Sequence, residues 1–143
     1  MTLLLALAIV LFLSAFFSAA EMAFLSTDRV KLRDQTERGD LRAGQLLLLF
    51  EDSREFLTTV LIGNNLMNVL AAALLTAFLE TRWEIHSEWV ITGILAPILI
   101  VLCETVPKGY GRHRGQGFLT DHLNLVLFFW KFLGAPARIL LSA

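Results

Sequence analysis

Long apolar stretches alternate with short charged ones along this chain, and that alternation predicts helices crossing a bilayer. A span needs about 20 predominantly apolar residues. Residues 2–26 supply the first, apolar without interruption to Leu13 and then marked by Ser14, Ser18, Glu21 and Ser26. Ser14, Ser18 and Glu21 fall close to one helix face, and such a polar stripe at membrane depth faces protein or water. Ala15, Ala19, Ala20 and Ala23 are small enough to admit a neighbouring helix. A second span covers residues 56–79 and a third residues 89–107, with Pro97 near its middle and Pro107 at its end. Each proline lacks an amide donor and frees the carbonyl four residues back, here those of Gly93 and Cys103. A freed carbonyl at depth needs a partner.

The intervening segments are polar. Residues 27–55 carry Arg29, Lys31, Arg33, Arg38, Arg42 and Arg54, and Gly39-Asp40 predicts a turn between helices at 27–38 and 41–51. The apolar run Leu46 to Phe50 is expected to lie on the membrane surface or the spanning bundle. Residues 80–88 form a short connection, with Trp83 and Trp89 suited to a membrane interface. Residues 108–117 are glycine-rich and basic. The last segment, 121–143, is apolar but interrupted by Lys131, Gly134, Pro136 and Arg138, which favours a helix lying in the interface and bent at Gly134–Pro136 over a fourth span.

Composition agrees. Of 143 residues, 56% are hydrophobic and 17% charged, with a mean hydropathy of +0.65, which suits a single membrane domain. No Lys or Arg precedes Arg29, so the first apolar run reads as a retained span and not a cleaved leader. Basic residues concentrate in 27–55 and after the third span, while 80–88 holds only Arg82. The positive-inside rule therefore puts both basic segments in the cytoplasm and the N-terminus outside. A net charge of −1 with no basic aromatic patch gives no sign of nucleic-acid binding. The single Cys103 excludes an intrachain disulfide and most cysteine metal sites, and reads as a small packing residue.

Chemistry concentrates in the second span. Thr58 to Phe78, TTVLIGNNLMNVLAAALLTAF, holds Asn64, Asn65 and Asn68 directly after Gly63. Asn64 and Asn68 share a helix face and Asn65 is turned by about 100°. A buried amide costs several kcal/mol unless paired. Interhelical hydrogen bonding would satisfy one such residue, whereas three beside a glycine that lets another backbone come close point to a site. Glu104 closes a run from Trp89 containing no other ionisable group but Cys103. It needs a proton, a cation or Lys108 one turn on. Glu21 could instead pair with the basic hairpin, and Ser14 could bond its own helix carbonyl.

In the orientation above, Ser18, Asn64 and Glu104 all fall in the cytoplasm-proximal halves of their spans. Hydroxyl, amide and carboxylate oxygens with freed carbonyls suit a hard cation such as Mg²⁺, Ca²⁺ or Na⁺. Enzymatic chemistry is not expected. His86, His113 and His122 lie in or beside connections without HExxH spacing, and neither Ser18 nor Cys103 has a histidine in its span to act as base.

Three segments then coincide with a known pattern. FSAAEMAFLS (Phe17 to Ser26), LIGNNLMN (Leu61 to Asn68) and CETVPK (Cys103 to Lys108), in this order and with the basic hairpin between the first two, resemble the transmembrane domain of the CorC / cyclin M (CNNM) magnesium transporter family. The resemblance implies an all-α membrane protein of three transmembrane helices, a cytoplasmic helical hairpin between the first and second, and a juxtamembrane amphipathic helix over about 120–143. It implies a homodimer in a bacterial inner membrane that exports Mg²⁺ with Na⁺ entry. A membrane-anchored Mg²⁺ sensor without flux is the rival. Ser18, Asn64, Asn68 and Glu104 would be the ion-binding positions and Gly63, Asn65 and Pro107 would shape the site. Glu21 and Ser26 match the first motif. Family members continue into cytosolic CBS domains that bind ATP in many cases, so a chain ending at Ala143 is expected to be part of a longer protein.

Overall fold

The computed structural model describes residues 2–83 and 88–142, and among these every regular element is helical. They are α1 (Thr2–Leu25), α2 (Arg29–Glu37), α3 (Leu41–Glu51), α4 (Ser53–Trp83), α5 (Glu88–Ile98), a π-helical segment (Leu99–Thr105), α6 (Val106–Arg114), α7 (Gln116–Asp121) and α8 (Leu123–Ser142). Among the described residues, three stretches are long and apolar enough to cross a membrane: Thr2–Leu25, Ser53–Arg82 and Thr92–Arg114. Of the expected polar connection at 80–88, residues 80–83 continue α4 and Glu88 opens α5, while residues 84–87, with His86, lie outside the described residues.

Helix α1 is the axis, packing on α4, α6, α7 and the π-helical segment. Its alanine face explains how. A Cβ placed on Gly111 of α6 would fall on the backbone carbonyl of Ala19, so α6 and α1 touch backbone to backbone. The glycines of residues 108–117 are thus partly a packing device.

The polar end of α1 is closed by hydroxyls. Ser26 and Thr27 donate to the carbonyls of Met22 and Ala23, each at 2.7 Å; the Met22 carbonyl also accepts the Ser26 amide, while the Thr27 amide goes to Phe24 and leaves Ala23 to the hydroxyl. Asp28 then caps α2 by accepting from the amides of Val30 and Lys31 at 2.9 and 3.3 Å. Gly39 turns the chain at φ +92°, and Asp40 caps α3 through Arg42 and Ala43 at 2.9 and 3.2 Å. The two short helices pack on each other. Leu32, Leu46, Leu49 and Phe50 are buried in one core with Phe24 and Phe56 from the neighbouring ends of α1 and α4. Phe24 stacks on Phe50 with ring centroids 4.0 Å apart.

Two boundaries differ from the sequence reading. The second span is longer, because α4 starts at Ser53 and buries Phe56, Thr59 and Val60 before it reaches the asparagines. The third does not stop at Pro107. The chain changes hydrogen-bond register instead, running π-helical from Leu99 and returning to α-helix at Val106 with Pro107 in the first turn, where a missing amide donor is tolerated. It continues to Arg114, with Gly111 packed flat on the Ala19 backbone of α1. Helix α8 runs across Gly134 and Pro136 and packs on α4, with Leu123 and Val126 buried and Phe128, Phe132 and Ile139 exposed. Its apolar part, Leu123–Pro136, is shorter than a span.

Candidate ion-binding site

Two polar clusters sit one helical turn apart along α1. The first joins α1 to α4. Ser14 donates its hydroxyl to the carboxamide oxygen of Asn68 at 2.6 Å, with Asn64 Oδ1 at 3.4 Å, and Ser18 donates to Asn64 Oδ1 at 3.1 Å. Both serines are fully buried and Asn64 is 7% exposed. The serine pair and the asparagine pair each repeat every four residues, so the two ladders lie in register on facing helices. Ser14 does not turn back to its own helix, because α4 presents a better acceptor.

Gly63 is required for a reason other than the expected close backbone. A Cβ there would lie 2.7 Å from the ring of Phe17, so the glycine makes room for an aromatic side chain beside Ser18. Phe17 in turn packs edge-on against Phe129 of α8, centroids 4.9 Å apart.

The third span enters through Cys103, buried with its thiol beside the Ser14 hydroxyl. The next residue, Glu104, belongs to the second cluster. Its Oε1 lies 3.1 Å from Lys108 Nζ, which also lies 3.5 Å from Oε2 of Glu21. One ammonium therefore joins two carboxylates from different helices, all three partly exposed. A cavity of about 660 Å³ opens beside them, lined by Met22, Ile100, Glu104, Thr105, Lys108, Gly109 and Arg112.

Of the residues singled out from sequence, Ser18, Asn64 and Asn68 come together directly. Glu104 lies alongside through its neighbour Cys103 and is held by Lys108, with no hydrogen bond to the serines or asparagines. Pro107 is buried. Asn65 is exposed on α4, turned from the cluster, and Ser26 is exposed and bonded to its own helix. Ser14, which the sequence leaves free to bond its own helix, joins the asparagines instead. Its spacing of four from Ser18, matching Asn64 and Asn68, was the available signal.

Chemically, the first cluster is an array of neutral oxygens. Each hydroxyl proton can rotate away, freeing serine and carboxamide oxygens to turn lone pairs toward a cation. Oxygen donors of this kind are those that hard cations favour. The adjoining carboxylates bring the negative charge.

A three-span helical domain with buried oxygen donors between its helices is an integral membrane domain. Residues 4–143 match the Cyclin M transmembrane N-terminal domain, and the chain belongs to that family. It is 33% identical over 96 residues to the UPF0053 inner membrane protein YfjD of Escherichia coli, covering 67% of this chain and 22% of that protein. It is 35% identical over 124 residues to a UPF0053 protein of Haemophilus influenzae, covering 85% and 30%. A chloroplastic DUF21 domain-containing protein of Arabidopsis thaliana is 34% identical over 110 residues, covering 77% and 17%. The chain thus spans less than a third of the length of each of these relatives.

Proposed function

We propose that this domain carries Mg²⁺ out of the cell, with Na⁺ entry as the driving process, through a site formed by Ser14, Ser18, Asn64 and Asn68 and completed by Glu104. The observation that carries the reading is the matched pair of ladders, two buried serines against two asparagines at one depth, with a carboxylate from the third span alongside. A packing contact needs one such pair, whereas four oxygen donors meeting between two helices suit a hard cation. Mg²⁺ takes oxygen ligands and gives up its waters reluctantly, and the cavity beside Glu104 leaves room for a partly hydrated ion to approach. The work done here is binding and release of an ion, not covalent catalysis.

In this reading the domain sits in a bacterial inner membrane with its N-terminus outside. Helices α2 and α3 form a cytoplasmic hairpin, and α8 lies at the cytoplasmic interface with Phe128, Phe132 and Ile139 toward lipid. A second copy completes a homodimer. The longer protein adds cytosolic CBS domains, which are the place for any ATP.

The test is flux. Full-length protein in proteoliposomes is expected to move Mg²⁺ faster with an opposing Na⁺ gradient than without one, and Asn68→Ala or Glu104→Gln to abolish the movement. Saturable Mg²⁺ binding without any flux from folded protein would replace the transporter with a membrane-anchored Mg²⁺ sensor. Flux that ignores Na⁺ would remove the coupling alone.

A further inference from the structure

Lys108 occupies an unexpected place for a site that is to hold a cation. An i,i+4 Glu–Lys pair on an exposed helix is worth only about 0.3–0.5 kcal/mol and calls for no special role. Here, however, the ammonium lies between two carboxylates on different helices, 3.1 Å from Glu104 and 3.5 Å from Glu21, with its side chain only 31% exposed. Glu104 is moreover the one carboxylate that the stretch from Trp89 to Lys108 contributes. Arg112 lines the same cavity but makes no ion pair with either glutamate among the described residues. The lysine's unbranched stem can carry its charge from one glutamate to the other without moving the backbone.

We propose that Lys108 is a tethered stand-in for the transported cation. It neutralises Glu104 while the site is empty, yields that carboxylate to the arriving ion by moving fully onto Glu21, and returns to drive the ion off. Glu21 is then the parking position, not an ion ligand. A covalently attached competitor weakens binding and speeds release, and this trade suits a carrier more than a storage site. The proposal rests on the reading of the Ser–Asn–Glu104 site as a Mg²⁺ site.

The experiment titrates Mg²⁺ into purified full-length protein by calorimetry and measures Mg²⁺ export from vesicles, for wild type, Lys108→Met, Lys108→Arg, Glu21→Gln and the double variant Lys108→Met/Glu21→Gln. Lys108→Met is expected to bind Mg²⁺ at least about threefold more tightly, the scale of a partly screened ion pair, yet to export it more slowly. Lys108→Arg keeps the charge and stays near wild type in affinity. Glu21→Gln strands the lysine on Glu104 and weakens binding by a similar factor, an effect that disappears in the double variant. Folded Lys108→Met binding no more tightly than wild type overturns the exchange. So does a Glu21→Gln effect that persists at full size without the lysine, since Glu21 would then act on the ion directly. If Lys108→Met does not fold, Glu21→Gln decides by itself, and unchanged affinity overturns the proposal. Wild-type protein that binds no Mg²⁺ sinks the magnesium reading beneath it, a different result from any of these.

Discussion

Ser14 of α1 gives its hydroxyl hydrogen to Asn68 of α4 across 2.6 Å, and this bond fixes the register between the first two spans. Ser14→Ala removes it and leaves a carboxamide oxygen facing a methyl group. Interhelical hydrogen bonds in membranes average about 0.6 kcal/mol and reach about 1.7 kcal/mol. A loss toward the upper value is expected, since the bond is short and the serine fully buried, read as a lower unfolding midpoint in detergent.

Magnesium should stabilise the fold through the same residues. Added Mg²⁺ is expected to raise the thermal midpoint of wild type, and chelation to reverse the rise. Asn68→Ala, Ser18→Ala and Glu104→Gln should each flatten that dependence while the protein stays helical by circular dichroism. A full Mg²⁺ shift retained in all three variants would remove these residues from the site.

Glycines in the third span should divide sharply. Gly111→Ala drives a methyl group into the Ala19 carbonyl and is expected to cost on the order of 2 kcal/mol or more through displaced backbone. Gly109→Ala meets nothing within 4 Å and should be neutral or stabilising by roughly 0.5–1 kcal/mol, as for glycine replaced in a helix. Melting the two variants side by side checks the contrast.

Asp28 and Asp40 begin α2 and α3 by the same device, so their removal should have similar consequences. Asp28→Ala and Asp40→Ala are each expected to cost about 1 kcal/mol. Hydrogen exchange should quicken locally, in Val30 and Lys31 for the first and in Arg42 and Ala43 for the second.

Cys103 is 2% exposed and packed beside Ser14. A maleimide reagent should leave it unlabelled in folded protein and modify it fully after denaturation. Fast labelling of the folded form would mean that the third span stands off α1.

Much of this architecture could be read from residues alone because the signals were local. The apolar runs located the three spans, Gly39-Asp40 marked the turn between α2 and α3, and the fourfold spacing of Asn64 and Asn68 defined a face. What escaped reading depended on which neighbour each face meets. Ser14 had two acceptors open to it, a carbonyl of its own helix or a side chain across the interface, and only the docking of α4 chooses. Pro107 ends a regular α-helix in most contexts, and nothing nearby announces that the preceding turns run π-helical and let the helix resume. The second carboxylate for Lys108 was likewise invisible, because Glu21 lies 87 positions earlier in the chain.

Helix α4 also sets how the barrier is distributed across the bilayer. At 1.5 Å per residue, Asn64 lies about 28 Å from the end of the helix at Trp83, nearly the whole hydrocarbon thickness of about 30 Å. Ser53, at the other end of α4, lies about 16 Å from Asn64, so the longer part of the helix runs from the oxygen donors toward Trp83. That part carries the apolar cluster that Leu75 and Leu79 form with Leu7 of α1. In the proposed function, site and seal are then consecutive storeys of the same two helices, so an ion leaving Asn68 toward the far side would have to part leucines and not oxygens.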